Sequence, residues 1–166
     1  MTNTVTSDPT QFLSFVLAGE EYAVNILRVK EIIEYDNLTR VPGMPPAVRG
    51  VINLRGRVVP VVDLAMRFGL PESVITPRSC IVMVEIAMGV ADGDALVMGI
   101  ITDSVCEVLD LAVESIQAAP SFGTAVGAEY LDGMAESTGK KFVMLLNVER
   151  ALSAQAFGAG EQLAAA

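Results

Sequence analysis

Acid–base or nucleophilic chemistry near neutral pH most often uses histidine, and this chain of 166 residues has none. That removes Ser-His-Asp triads, Cys-His dyads and most zinc hydrolases. No GxxxxGK followed by Ser or Thr is present to cradle phosphates, and no GxGxxG follows a strand-like run. Cys80 and Cys106 are two isolated thiols that cannot hold zinc without histidine. Both lie in apolar, strand-like runs and read as buried, reduced structural cysteines. The loop Gly89-Val90-Ala91-Asp92-Gly93-Asp94 holds two carboxylates but lacks the ligand ladder of an EF-hand, so it reads as a hairpin loop. Glu20-Glu21, Asp103 and Asp110 could supply a carboxylate pair, but nothing in their spacing brings two together. The residues therefore favour binding over catalysis, with no metal and no cofactor expected. The alternative is a small β-barrel enzyme or ligand-binding domain using carboxylates and Arg55.

Charge narrows the partners. The formal net charge is −9, from 20 acidic and 11 basic residues. The basic residues are scattered, with Arg49, Arg55 and Arg57 the densest group, so neither nucleic acid nor an anionic membrane is an expected partner. Hydrophobic residues make up 52% of the chain, yet the most apolar region, from Ile81 to Thr102, is cut by Glu85, Asp92 and Asp94. A spanning helix needs about 20 consecutive apolar residues, so direct membrane insertion is not expected. MTNTVTSDPT has no apolar run and is not a signal peptide, and a cytoplasmic protein is the expectation.

The elements that would position Arg55 are mostly strands. QFLSFVL (11–17) alternates and leads through Ala18-Gly19 into Tyr22-Ala23-Val24. Asn25 reads as the N-cap of a short helix over 26–34, with Ile26, Val29 and Ile33 inward and Arg28, Lys30, Glu31 and Glu34 outward. VPGMPP (41–46) breaks regular structure. GVINLRGRVVPVVDL (50–64) reads as two strands joined at Arg55-Gly56, where glycine takes φ > 0 without steric cost. Pro60 donates no hydrogen bond, so its strand should be an edge or carry a bulge. Asp63 caps one helical turn, 65–68, closed by Gly69. Further strands are expected over 79–86, 95–111, 128–137 and 142–148, then a short helix opened by Asn147 and Glu149. About ten short strands point to small barrels or a sandwich, with no linker and no internal repeat. Residues 1–10 and 156–166 read as disordered tails flanking one body over 11–155.

In this frame the chain resembles the CheW family. FLSFVLAGEEYAVNILRVKEII resembles the family's opening strand, hairpin and V-x-E-I segment. RVPGMPPAVRGVINLRGRVVPVVDLAMRFGL resembles its most specific signature, and MGIITDSVCEVLDL, EYLDGMA and FVMLLNVERAL follow in register. The resemblance implies a mainly all-β fold: two interleaved five-stranded SH3-like β-barrels sharing a hydrophobic core, with a few short helices. It implies a non-enzymatic adaptor that couples the cytoplasmic hairpin tip of methyl-accepting chemotaxis proteins to the regulatory domain of the histidine kinase CheA. A groove between the barrels would receive the receptor hairpin, and the protein would join membrane-bound receptor arrays only through its partners. Val29, Glu31, Gly50, Asn53, Arg55 and Gly56 match the motifs that form the family's receptor and kinase surface. Such modules also occur fused to a receiver domain or within the kinase, and neither fusion is expected of a chain running from Met1 to an alanine-rich tail.

Overall fold

A computed structural model describes residues 11–87, 95–118, 130–136 and 141–152. The expected tails, the loop at 88–94, the turn at 138–140 and the end of the last helix lie outside these residues. The described chain forms ten strands: β1 Gln11–Leu17, β2 Glu20–Asn25, β3 Val29–Glu34, β4 Val48–Leu54, β5 Arg57–Val62, β6 Cys80–Ala87, β7 Ala95–Thr102, β8 Ser104–Asp110, β9 Leu131–Glu136 and β10 Phe142–Leu146. Two short helices, α1 Leu64–Arg67 and α2 Val148–Leu152, follow β5 and β10. The strands make two five-stranded sheets, ordered β9-β10-β2-β1-β8 and β3-β6-β7-β5-β4.

Each sheet curls until its edge strands approach. In one, Thr39, just after β3, exchanges two backbone hydrogen bonds of 3.0 and 2.9 Å with Val51 of β4. In the other, Gln117 and Met134 exchange two of 2.8 Å. Alternation along the strands then divides the apolar residues between two destinations. On β6, Ile81 and Met83 fill the interior of their own barrel, while Val82, Val84 and Ile86 join a shared cluster with Leu13, Phe15 and Tyr22 of the other sheet. The barrels share this core, as expected.

The two sheets are the same structure made twice. β8, β9, β10, α2, β1 and β2 repeat the roles of β3, β4, β5, α1, β6 and β7. Val-Lys-Glu-Ile-Ile-Glu of β3 matches Val-Cys-Glu-Val-Leu-Asp of β8, each with a bulge after its valine. Gly50 and Gly133 sit at corresponding bulges, and a Cβ on either would stand 2.6 and 2.5 Å from the carbonyl oxygens of Thr39 and Gln117. Both are glycine because a backbone passes through the space a side chain would need. No internal repeat was expected, because the recurring match is six similar residues inside otherwise divergent sequence.

Three local expectations change. Residues 26–34 are not a helix: Asn25 caps only a 3-10 turn over Ile26–Arg28, its Oδ1 accepting from the Leu27 N–H at 2.8 Å. From Val29 the chain extends, because Val29, Ile32 and Ile33 are β-branched and the edge of β6 is open to pair with them. Pro60 is not on an edge strand, since β5 lies between β4 and β7. The bulge of that hairpin falls on β4, between Val48 and Gly50. The β5–β7 ladder spans Val61 and Val62, so Pro60, which has no N–H to donate, falls just outside it. The single run expected over 95–111 breaks at Asp103, and its halves enter different barrels.

Candidate functional site

Arg55 and Gly56 form the two-residue turn between β4 and β5, with φ of +53° and +84°. Two left-handed residues make the hairpin turn whose twist matches that of the strands, and Gly56 accepts this without penalty. Asn53 fastens the turn, its Oδ1 accepting from the Gly56 N–H at 2.8 Å. The Arg55 guanidinium reaches back to Glu31 on β3, with Nη1–Oε1 at 2.7 Å and Nη2–Oε2 at 3.1 Å. The carboxylate raises the guanidinium's pKa further, through the hydrogen bond first and its charge second. Arg55 is 73% exposed and Glu31 28% exposed, so the pair sits at the rim and not in the core.

Four of the six expected surface residues, Glu31, Asn53, Arg55 and Gly56, thus meet at one hairpin tip. The other two are placed differently. Val29 is half-buried against the shared core, and Gly50 is buried beneath the Thr39 backbone. Their effect on a partner would pass through the shape of β3 and β4.

Beside the tip lies a groove of about 270 Å³ whose walls include Lys30, Glu31, Leu54, Arg55, Arg57 and Val58. Leu96 and Val97 of β7 complete it. Lys30, Arg57 and Val58 were not among the expected surface residues, although R-G-R-V-V places the last two directly after the turn. A second cleft, about 550 Å³, opens where the barrels meet. It is bounded by Ala18 and Gly19 of the β1–β2 turn, Asp103 and Ser104, and the α1–β6 loop with Val74.

Asp63 was expected only as a helix cap, and it does more. Its fully buried carboxylate accepts from the Ala65 N–H (3.1 Å), the Ser73 N–H (2.9 Å), the Ser73 hydroxyl (2.8 Å) and Arg49 Nη1 (2.9 Å). One side chain therefore ties β4, α1 and the loop lining the inter-barrel cleft. Arg49 stands before Gly50 and bonds the cap Asp63; Asp132 stands before Gly133 and accepts from the cap Asn147 at 2.8 Å. The cysteines also differ from expectation. Both are free, but Cys80 is half-buried and Cys106 exposed, because the bulge in β8 turns that position outward.

Comparison with known proteins agrees with this architecture. Residues 11–156 match the family model described as CheW-like domain. The chain is 37% identical over 145 residues to the chemotaxis protein CheW of Klebsiella aerogenes, covering 87% of this chain and 82% of that one. It is 28% identical over 151 residues to the chemotaxis protein CheW of Treponema pallidum, covering 91% and 86%. The crystal structure of the scaffolding protein TtCheW from Thermoanaerobacter tengcongensis superposes with a TM-score of 0.78 at 29% identity, covering 92% of this chain and 94% of that one.

Proposed function

This chain belongs to the CheW-like family of chemotaxis scaffold proteins, and from that premise we propose that it is a non-enzymatic adaptor coupling methyl-accepting chemoreceptors to the histidine kinase CheA. The observation that carries the reading is the Arg55–Glu31 pair, a directional polar anchor held at a hairpin tip beside an apolar groove. Partner recognition by a preformed surface needs that combination, and an arginine with five donors suits it. The working unit is the two-barrel body over 11–155, acting in the cytoplasm and reaching receptor arrays through its partners. Among the described residues no helix is long and apolar enough to cross a membrane.

The alternative, a barrel enzyme built on carboxylates and Arg55, needs an acid or base free to act in the groove. Glu31 is the carboxylate there, and Arg55 engages both of its oxygens. The deciding experiment is a pull-down with the full chain from cell extract, read for a chemoreceptor and a histidine kinase. Capture of both supports the adaptor; capture of neither, or a stable phosphoprotein after incubation with a phosphorylated kinase, sinks it.

A further inference from the structure

The sheet of the first barrel is split between two of its central strands. β5 and β7 run parallel but pair only at Val61–Gly99 and Val62–Ile100, so their facing edges are open from Arg57 to Val59 and from Ala95 to Val97. In a two-residue hairpin the flanking pair, here Leu54 and Arg57, exchanges the hydrogen bonds. The N–H and C=O of the next residue, Val58, therefore point away from β4 and into the slot. Val97 lies two residues before Gly99, so alternation gives its backbone groups the same direction as those that meet β5. An open strand edge is a template for pairing with another chain.

Charge restricts which chain. In a protein with 20 acidic and 11 basic residues an average patch is negative, yet Lys30, Arg55 and Arg57 flank this slot against one acid, Glu31, which Arg55 already engages. Lys30 reaches Glu85 only at 4.0 Å, and Arg57 makes no ion pair among the described residues. Val58 is 71% exposed between them. The second barrel repeats the split with the opposite charge: its β10–β2 ladder spans Met144 and Leu145, and the stretch of β2 before it is Glu20-Glu21.

We propose that an extended acidic segment of a partner protein adds a strand in the first barrel's slot, pairing its backbone with Val58 and Val97 and setting carboxylates over Lys30 and Arg57. The adjoining space of about 270 Å³ takes one apolar side chain of that segment. This goes beyond the adaptor reading and does not rest on it, so a chain that captured neither receptor nor kinase would lose that reading and keep this site. The probe is a synthetic peptide alternating Val and Glu, titrated into the isotope-labelled full chain and followed by amide chemical shifts. It is expected to perturb Val58 and Val97, to slow their hydrogen exchange, and to bind less well as salt rises. Methylating alternate backbone nitrogens of the peptide keeps its side chains and removes donors, and should weaken binding about tenfold or more. Arg57→Glu, an exposed substitution, should weaken it comparably while preserving the melting curve. Equal binding of the N-methylated peptide, or a peptide that binds as a helix, would overturn strand addition. Equal binding of a Val-Lys peptide, shifts centred on Glu20 and Glu21, or no binding up to about 1 mM would overturn the site itself.

Discussion

Arg55 and Glu31 lie 24 residues apart in sequence, and their side chains meet through two hydrogen bonds of 2.7 and 3.1 Å. Because β3 and β4 are the two edges of one sheet, this pair fastens the open side of the barrel at its rim. An exposed pair contributes little to folding, so its main consequence is the orientation of the guanidinium.

Arg55→Ala should therefore leave the melting temperature within about 3 °C of wild type. Its affinity for receptor and kinase should fall by roughly 30-fold or more if the tip is a binding hot spot. Arg55→Glu should be worse, since it also repels Glu31. Gly56→Val differs from both, because a β-branched residue at φ +84° should cost about 1–3 kcal/mol of stability. Calorimetry beside a binding titration separates these cases, and an unfolded Arg55→Ala chain would make Arg55 a structural residue.

The repeated architecture makes a paired prediction. Gly50→Ala and Gly133→Ala each place a Cβ within 2.6 Å of a backbone carbonyl, so each should destabilise by an amount on the order of 1–3 kcal/mol. Hydrogen exchange should show loss of protection at Val51 in the first and at Met134 in the second. Equal tolerance of alanine at both sites would show that the bridging segments are loosely held.

Asp63→Ala should be the most damaging of these polar substitutions. It removes four hydrogen bonds to one buried carboxylate and leaves Arg49, 14% exposed, with Glu72 as its remaining ion-pair partner, for a loss of about 2–4 kcal/mol. Urea denaturation measures it directly; a loss below about 1 kcal/mol would mean the loop at 71–78 does not depend on this carboxylate.

Tyr22 predicts behaviour in alkali. Burial, with a smaller push from Glu20, raises its pKa to about 12 from an ordinary 10, and its hydroxyl has no hydrogen-bond partner among the described residues. The folded chain then holds the phenolic proton where the unfolded chain has lost it. Stability from this group is complete below pH 10 and falls between pH 10 and 12, by an amount on the order of 1 kcal/mol per unit. Tyr22→Phe should remove that part of the slope while staying within about 1 kcal/mol of wild type at pH 7. Denaturation midpoints across the alkaline range decide it, and an unchanged slope would rule Tyr22 out.

The thiols should be slow to react at neutral pH for a reason other than access. Partial burial, and then the charges of Glu34 and Glu21, push the Cys80 and Cys106 pKa values up, so little thiolate forms. Alkylation of both should lag a free-cysteine peptide at pH 7 and accelerate above pH 9, with Cys106 leading because it is exposed. Rapid labelling of Cys106 at pH 7 would contradict this.

Local chemistry was legible in the sequence because each signal acts over a few residues. Alternating apolar runs named the strands, Arg55-Gly56 named a turn that needs positive φ, and Asp63 and Asn147 named helix starts. Together with the R-G-V-I-N-L-R-G-R-V-V-P signature, they were enough to identify class, family and hairpin tip. Tertiary structure decided whatever depended on pairing between distant segments. Residues 29–34 became a strand because β6 offered an edge, overriding a helical spacing. The turn arginine acquired Glu31 as a partner because curling of the sheet joined its two edges. Lys30 came beside Arg57 and Val58 by the same closure, and Cys106 turned outward at a bulge. A side chain's face is set by local periodicity, but its neighbour is set by strand register and barrel closure, which no short window of sequence encodes.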